Sequence, residues 1–289
     1  MKISIFTPTY NRAHTISRTY QSLIRQTCKD FEWLVVDDGS TDSTESLINS
    51  WLNKSDFMIR YIKKSNAGKY KAYNLGLREA KGNLFFCVDS DDWLPENAIE
   101  LIKLQEKRIL ETENIAGMVA LKIYENGHVI GKPYAVNSVK SLYKLSCEGY
   151  GGERSLVFET RIAQKYPFPE KTNEKFMGES VIYDRFEDKY QFLVRNYCLT
   201  ICEYQTDGLS SSPRSLMLAN PTGYKLYFSQ RIDLVTNLRE KIPLILRYHA
   251  FNRLSKNKEF IYQGKHKFLV KLLAPFSIGV YLYYKYYCK

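Results

Sequence analysis

The sequence predicts an α/β fold: a mostly parallel, Rossmann-like sheet with helices on both faces. Three observations carry that expectation. Short, apolar runs alternate with stretches of helical period through the first hundred residues. Those runs are apolar throughout rather than alternating, as strands buried on both faces are. Polar, mostly acidic or hydroxylic residues collect where each run ends, the edge at which open α/β sheets gather ligands.

Residues 3–7 form the first apolar run, followed by a helical stretch over 15–26. Residues 31–36 form the second, ahead of a helix over 42–52 in which Asp42 and Glu45 have the spacing of a capping box. Residues 58–62 form the third, before a helix over 69–80 that Gly82 stops. Residues 84–88 form the fourth, and Pro95 is expected to open a helix of about four turns from its favoured first position. Beyond residue 115 the pattern changes. Residues 118–124, an Asn126-Gly127 turn and Val129-Ile130 predict a hairpin, and 154–159 another strand. Residues 160–213 are aromatic and mixed in charge, and from Leu216 onward the chain is helical and basic. Three segments follow: 1–110, 111–215, and 216–289 as a basic helical tail.

With 44% hydrophobic and 25% charged residues, the 289-residue chain has globular composition, which excludes disordered and fibrous classes. The net charge of +11 is localised. Residues 214–289 carry 14 Lys/Arg against 3 Asp/Glu, and the remaining 28 of each sign cancel. Basicity thus belongs to the last quarter, which is expected to meet something anionic, and the neutral remainder argues against nucleic acid as partner. Six cysteines show no C-x-x-C spacing and no neighbouring His cluster. No signal-peptide pattern precedes the first strand, so free thiols in a reducing compartment are expected.

The strand ends carry the chemistry. They read Thr7-Pro8-Thr9-Tyr10-Asn11-Arg12, Asp37-Asp38-Gly39-Ser40, Asn66-Ala67-Gly68-Lys69 and Asp89-Ser90-Asp91-Asp92. Three carboxylates within four residues repel one another, and a divalent cation with a taste for oxygen, Mn²⁺ or Mg²⁺, would relieve that. Asp92 would serve equally as a helix N-cap ahead of Pro95. Acids at the second strand end could accept hydrogen bonds from a base or ribose. Gly68-Lys69 at a helix start suits a phosphate. Neither G-x-x-x-x-G-K-[ST] nor G-x-G-x-x-G is present, which argues against P-loop NTPases and Rossmann dehydrogenases.

In their order and spacing these four stretches resemble the family 2 glycosyltransferases, enzymes of the GT-A fold, over roughly residues 1–110. The resemblance implies that Pro8, Tyr10 and Asp38 hold the base and ribose of a nucleotide-sugar, with Thr7 close by and Lys69 approaching the nucleotide. It implies that Asp89 and Asp91 form the D-x-D pair at the nucleotide-sugar diphosphate and its metal, with Asp92 sharing the role. The reaction implied is an inverting in-line displacement, which needs a stabilised leaving diphosphate and a base. In the matching region, Phe176 to Arg185, the family's acidic pair is missing because Ser180 follows Glu179. Glu179 is the expected base and Asp184 the second choice. Processive members carry Gln-x-x-Arg-Trp late in the chain, whereas the tryptophans here are Trp33, Trp51 and Trp93, so one sugar is added per visit. The implied substrates are a nucleotide-sugar, in first place a UDP-sugar, and a saccharide acceptor on a lipid carrier in bacterial surface-polysaccharide synthesis.

Residues 268–288 are long enough to span a bilayer, but Lys271, Pro275 and Lys285 interrupt them. A helix lying in the membrane surface, aromatic and basic, fits better; a helix packed on the protein's own core is the alternative. The expected location is cytoplasmic, at the inner face of the cell membrane. Two rivals remain at this point. A nucleotidyltransferase would open with a Gly-rich basic loop, which 7–12 lacks. A non-catalytic module binding membrane or nucleic acid through the tail would not need acids at the strand ends.

Overall fold

The computed structural model describes residues 2–150, 152–203, 213–257 and 259–287. The chain forms two compact units, one of residues 1–167 with 186–205 and one of 168–185 with 206–289. These cut the chain differently from the three segments at 1–110, 111–215 and 216–289.

The first unit holds β1 (Ile3–Thr9), α1 (Ile16–Ile24), β2 (Phe31–Asp37), α2 (Thr44–Asn49), β3 (Met58–Lys63), α3 (Lys69–Glu79), β4 (Leu84–Cys87) and α4 (Ala98–Glu111). It continues with β5 (Ile115–Tyr124), β6 (Ser138–Lys140), α5 (Leu142–Cys147), β7 (Arg154–Glu159), α6 (Thr160–Ala163) and β8 (Gln191–Cys202). All eight strands form one sheet in the order β3-β2-β1-β4-β7-β5-β8-β6. The first four are mutually parallel, β7 runs antiparallel between β4 and β5, β8 is parallel to β5, and β6 is an antiparallel edge.

Both faces of the sheet are covered. Ile3, Ile5, Trp33, Val35 and Phe86 pack with Tyr20 and Leu23 of α1 and with Ile99 and Ile102 of α4. On the other face Phe6 stacks on Phe85 at 5.3 Å and meets the edge of Tyr73 from α3 at 5.8 Å. Burial of such side chains contributes about 1.5–3 kcal/mol each. The close approach of α3 to β1 depends on Gly76, where a Cβ would lie 2.2 Å from the Phe6 ring.

Three local expectations change. The helix after β4 begins at Ala98 with Asn97 as N-cap, not at Pro95. The Pro95 carbonyl accepts from Gln26 Nε2 (2.7 Å) and the Glu96 carbonyl from Thr27 N–H (2.9 Å), so residues 95–97 form a turn tied to the end of α1. Asp42 does accept from Thr44 N–H (3.0 Å), yet Glu45 closes no capping box and pairs with Lys63 at 2.6 Å. The hairpin after β5 forms, with Gly127 at φ 84° and Ile130 N–H bonded to the Lys122 carbonyl at 2.9 Å, but its second arm shrinks to one bridge, Ile123 to Val129. No described cysteine is in a disulfide; Cys288 lies outside the described residues.

The second unit is helical: α7 (Ser180–Tyr183), α8 (Pro213–Ala219), α9 (Pro221–Leu234), α10 (Leu238–Leu254), α11 (Lys267–Leu273) and α12 (Ile278–Tyr287). Its core joins Phe228 and Ile232 of α9 to Ile245, Tyr248 and Phe251 of α10 and Val270 of α11. The C-terminal stretch is broken at Pro275–Ser277, where Arg253 donates to Ser277 Oγ (2.6 Å) and the Ala274 carbonyl (3.3 Å). Among the described residues no helix is long and apolar enough to cross a membrane.

Replacing Gly76 by Ala is expected to destabilise the protein by about 1–3 kcal/mol, the usual penalty of overpacking. The urea-unfolding midpoint followed by circular dichroism measures it; an unchanged midpoint would show that Phe6 is free to yield.

Candidate active site

The parallel strands β1 to β4 bring their carboxyl ends to one edge of the sheet. At the first, Thr7 is fully buried and accepts the indole N–H of Trp33 at 2.9 Å, so its hydroxyl is spent inside the sheet. Pro8 is buried beside it, while Tyr10 emerges 47% exposed. Asn11 takes φ 53°, a conformation that asparagine tolerates because its side chain bonds locally. Here Asn11 N–H donates to Ser40 Oγ (2.9 Å) and Asn11 Oδ1 accepts from Thr41 N–H (2.8 Å), tying the ends of β1 and β2 together.

At the end of β2, the two aspartates divide their tasks. Asp37 is buried and accepts from Ser40 N–H (2.7 Å) and the Tyr61 hydroxyl (2.6 Å). Asp38 turns to the next connection. Its carboxylate accepts from Ala67 N–H (2.9 Å) and Gly68 N–H (2.7 Å) and pairs with Lys64. Gly39 lies against this loop at φ 87°, where any Cβ would sit 2.8 Å from the Asn66 nitrogen. Asp38 thereby fixes the residues that lead into α3.

Lys69, the first residue of α3, reaches Asp89 at 2.7 Å. Burial works against the charge on Asp89, but Lys69, Lys122 and Arg12 outweigh it and hold the carboxyl below its ordinary value. Asp92 is buried and pairs with Lys122 at 3.0 Å. Burial, with Asp89 adding to it, pushes Asp92 up to about 6 despite that lysine. The Asp92 carboxylate goes to Lys122, and Asn97 is the N-cap of the helix that follows, so Asp92 does not cap it. Asp91 forms no ion pair among the described residues, and burial together with the Asp89 charge raises its carboxyl. Arg12 and Lys69 act on Asp91 from a distance without overcoming burial and the Asp89 charge, so Asp91 is the carboxylate of the three that no lysine pairs.

That arrangement fits a divalent cation with Asp91 as a ligand and Asp89 beside it. Mg²⁺ and Mn²⁺ take hard oxygen donors, commonly one or two carboxylates, and complete their shell with water and substrate phosphates. Among the described residues no group of three His, Cys, Asp or Glu side chains is gathered as a complete cage.

Glu179 and Asp184 belong to the second unit. Glu179 stands at the head of α7, partly exposed, and accepts from the Tyr183 hydroxyl at 3.0 Å. Asp184 is buried against Arg231 at 2.6 Å, the geometry of an anchor for α9. Lys122 was not anticipated. It lies on β5 between Asp92 and Glu153, the latter at 3.4 Å, and a lysine inside the run Val119-Ala120-Leu121-Lys122-Ile123 was the available signal. Cys202 on β8 completes this group: it is hydrogen-bonded to Asp92, and burial pushes its thiol up.

The profile of the family described as Glycosyl transferase family 2 matches residues 4–177. The glycosyltransferase GlyA of Streptococcus pneumoniae is 32% identical over 142 residues, 49% of this chain and 18% of GlyA. The poly(ribitol-phosphate) β-N-acetylglucosaminyltransferase TarS of Staphylococcus aureus is 33% identical over 102 residues, 35% of this chain and 18% of TarS. The chain thus matches less than a fifth of the length of either relative. Among solved structures, S. aureus TarS 1–349 in complex with UDP-GlcNAc superposes with a TM-score of 0.64 at 19% identity, covering 98% of this chain and 81% of that one. The mannosyltransferase PcManGT of Pyrobaculum calidifontis, in complex with GDP-Man and Mn²⁺, gives 0.55 at 16% identity, covering 99% and 83%. At these identities the likeness is one of fold.

Lys122→Met leaves Asp92 buried without its partner and is expected to destabilise the protein by about 3–5 kcal/mol. Adding Asp92→Asn should recover most of that loss. A double-mutant cycle in urea checks both; additive effects would show that the pair is uncoupled.

Proposed function

Because the chain belongs to glycosyl transferase family 2 and has the GT-A fold, we propose that it transfers a single sugar from a nucleotide-sugar to a saccharide acceptor. The observation that carries this reading is the edge formed by the ends of β1 to β4, where Asp91 stands outside any ion pair among the described residues, next to the Lys69–Asp89 pair. The donor is a UDP-sugar, carrying a hexosyl or N-acetylhexosaminyl group; the TarS complex with UDP-GlcNAc supports that choice. Tyr10, Lys69 and Asp89 contact the nucleotide diphosphate-sugar directly. Thr7, Pro8 and Asp38 shape the same surface through the groups that they hold. Asp91, with Asp89, is the cation site, and Asp92 supports it through Lys122.

The reaction is an inverting displacement. The acceptor oxygen bonds to the anomeric carbon as the bond from that carbon to the diphosphate oxygen breaks, and the nucleoside diphosphate leaves with the electron pair. The acceptor proton passes to Glu179. Lys69 places its ammonium where the leaving diphosphate gathers charge, and such preorganised charge is worth most when water is excluded. A Mn²⁺ or Mg²⁺ ion would supply further charge neutralisation at the diphosphate. Asp184, held by Arg231, is a weaker candidate because its lone pairs already serve that pair. The acceptor is a lipid-linked saccharide of surface-polysaccharide synthesis, and the enzyme works at the cytoplasmic face of the cell membrane, touching it through residues 216–289.

Calorimetric titration with UDP and with GDP, each with and without Mn²⁺, tests the donor site. UDP binding that needs Mn²⁺ and is lost in Asp91→Ala is expected; absence of nucleotide binding under every condition would overturn the reading. Glu179→Gln should lower kcat by about 10²–10⁴-fold with UDP binding intact, the range for a lost general base. If Asp184→Asn lowers kcat as much while the fold is kept, the base is misassigned.

A further inference from the structure

The C-terminal helices present an apolar face that nothing in the described chain covers. On α12, Ile278, Leu282 and Tyr286 recur every four residues and are 51%, 42% and 60% exposed. Tyr283 and Tyr287 form the adjacent stripe, stacked at 6.3 Å, and no residue of α12 is buried. Tyr284, on the other side, packs edge-on against Phe251 of α10 at 4.9 Å, which fixes the helix's orientation in its unit. On α11, Val270 is buried while Phe268 and Leu272 stand 80% and 54% exposed, and Phe276 at the break is 69% exposed. Two short helices therefore expose their large apolar side chains while their inner sides complete the core of this unit.

The charge around this face names its occupant. Lys265, Lys267, Lys271 and Lys285 are all exposed, and no Asp or Glu follows Glu259 in the sequence. Lys285 lies over the rings of Tyr281 and Tyr286 at 5.6 and 5.1 Å, which holds its ammonium at the rim of the apolar stripe. Tyrosine rings with lysines at their edge suit the headgroup level of a bilayer, where the ring body is apolar and its hydroxyl wet. A second copy of the chain fits less well, since a two-fold contact would set these lysines against one another.

We propose that α11 and α12 form an interfacial docking surface for anionic lipid. Phe268, Leu272, Phe276, Leu282 and Tyr286 enter the headgroup–acyl boundary, and the lysines rest on lipid phosphates. Neither helix is long enough to span, so the contact is peripheral and salt-sensitive. This deepens the membrane contact proposed above and rests on that reading only for the place where the enzyme works.

The test uses the full chain and sedimentation with vesicles, either pure phosphatidylcholine or a mixture with about one-third phosphatidylglycerol as the anionic component. Two variants accompany the wild type: Phe268→Asp/Phe276→Asp/Leu282→Asp, and Lys267→Ser/Lys271→Ser/Lys285→Ser. Wild type is expected to bind the anionic vesicles at least tenfold more tightly than the neutral ones, less tightly at high salt, with each variant losing at least tenfold. No binding by wild type, equal binding to both vesicles, or variants that bind unchanged would overturn the proposal. So would a wild-type dimer in sedimentation equilibrium that the aspartate variant dissolves. UDP titration of the same preparations reports the donor site separately: vesicle binding without UDP binding keeps this surface and sinks the transferase reading, and the reverse result does the opposite.

Discussion

One buried carboxylate organises the edge at which the parallel strands end. Asp38 leaves β2 with its own N–H bonded to the Thr9 carbonyl at 2.8 Å, and its side chain gathers Ala67 N–H, Gly68 N–H and the Lys64 ammonium. A carboxylate accepting two backbone N–H bonds and an ion pair is among the stronger anchors available to a loop. Three strand ends are joined by it, and the direction in which α3 starts is set. Lys69 then stands opposite Asp89 because the residue before it has been fixed, not because lysine and aspartate attract across solvent. Without that anchor, the Lys69–Asp89 pair would be an exposed ion pair of small value.

The fold was legible where apolar runs and strand-end polarity carried it. Strands β1, β2 and β4 are short and mostly buried, β3 is a half-exposed edge, and helical periods separate all four, so both their existence and their parallel arrangement followed from periodicity. The start of α4 was misplaced because Pro95 is a fair first residue taken locally, while the groups that claim the Pro95 and Glu96 carbonyls, Gln26 and Thr27, lie some seventy residues away in sequence. Glu45 left its capping box for the same kind of reason: Lys63 of a neighbouring strand offered a charge. Long-range partners override local signals, and a sequence read in windows does not contain them.

The candidate site shows the same division. The residue types at the strand ends announced a polar, charged edge, and the structure brings Lys69 to Asp89 there. The fate of individual carboxylates was not legible. Asp89, Asp91 and Asp92 are near neighbours in sequence, yet one is paired with Lys69, one with Lys122 and one with neither. That sorting depends on β5 and β8 lying in register, with Trp93 bridged to Ile201, and register between strands some eighty residues apart leaves no local trace. The Glu179 and Asp184 pair divides similarly: Arg231 on α9 holds the second, and the Tyr183 hydroxyl donates to the first.

The strand order has a consequence for how this chain is made. The inner neighbour of β4 is β7, which runs antiparallel and arrives roughly seventy residues later in synthesis. At ordinary elongation rates of 5–20 residues per second, the nascent half-sheet waits about 4–14 s with Leu84–Cys87 as an open, apolar edge. Such an edge is a template for wrong pairing. The interval between β4 and β7 is thus the window in which a trigger-type chaperone has most to do, and a fragment ending before Arg154 keeps that edge open permanently.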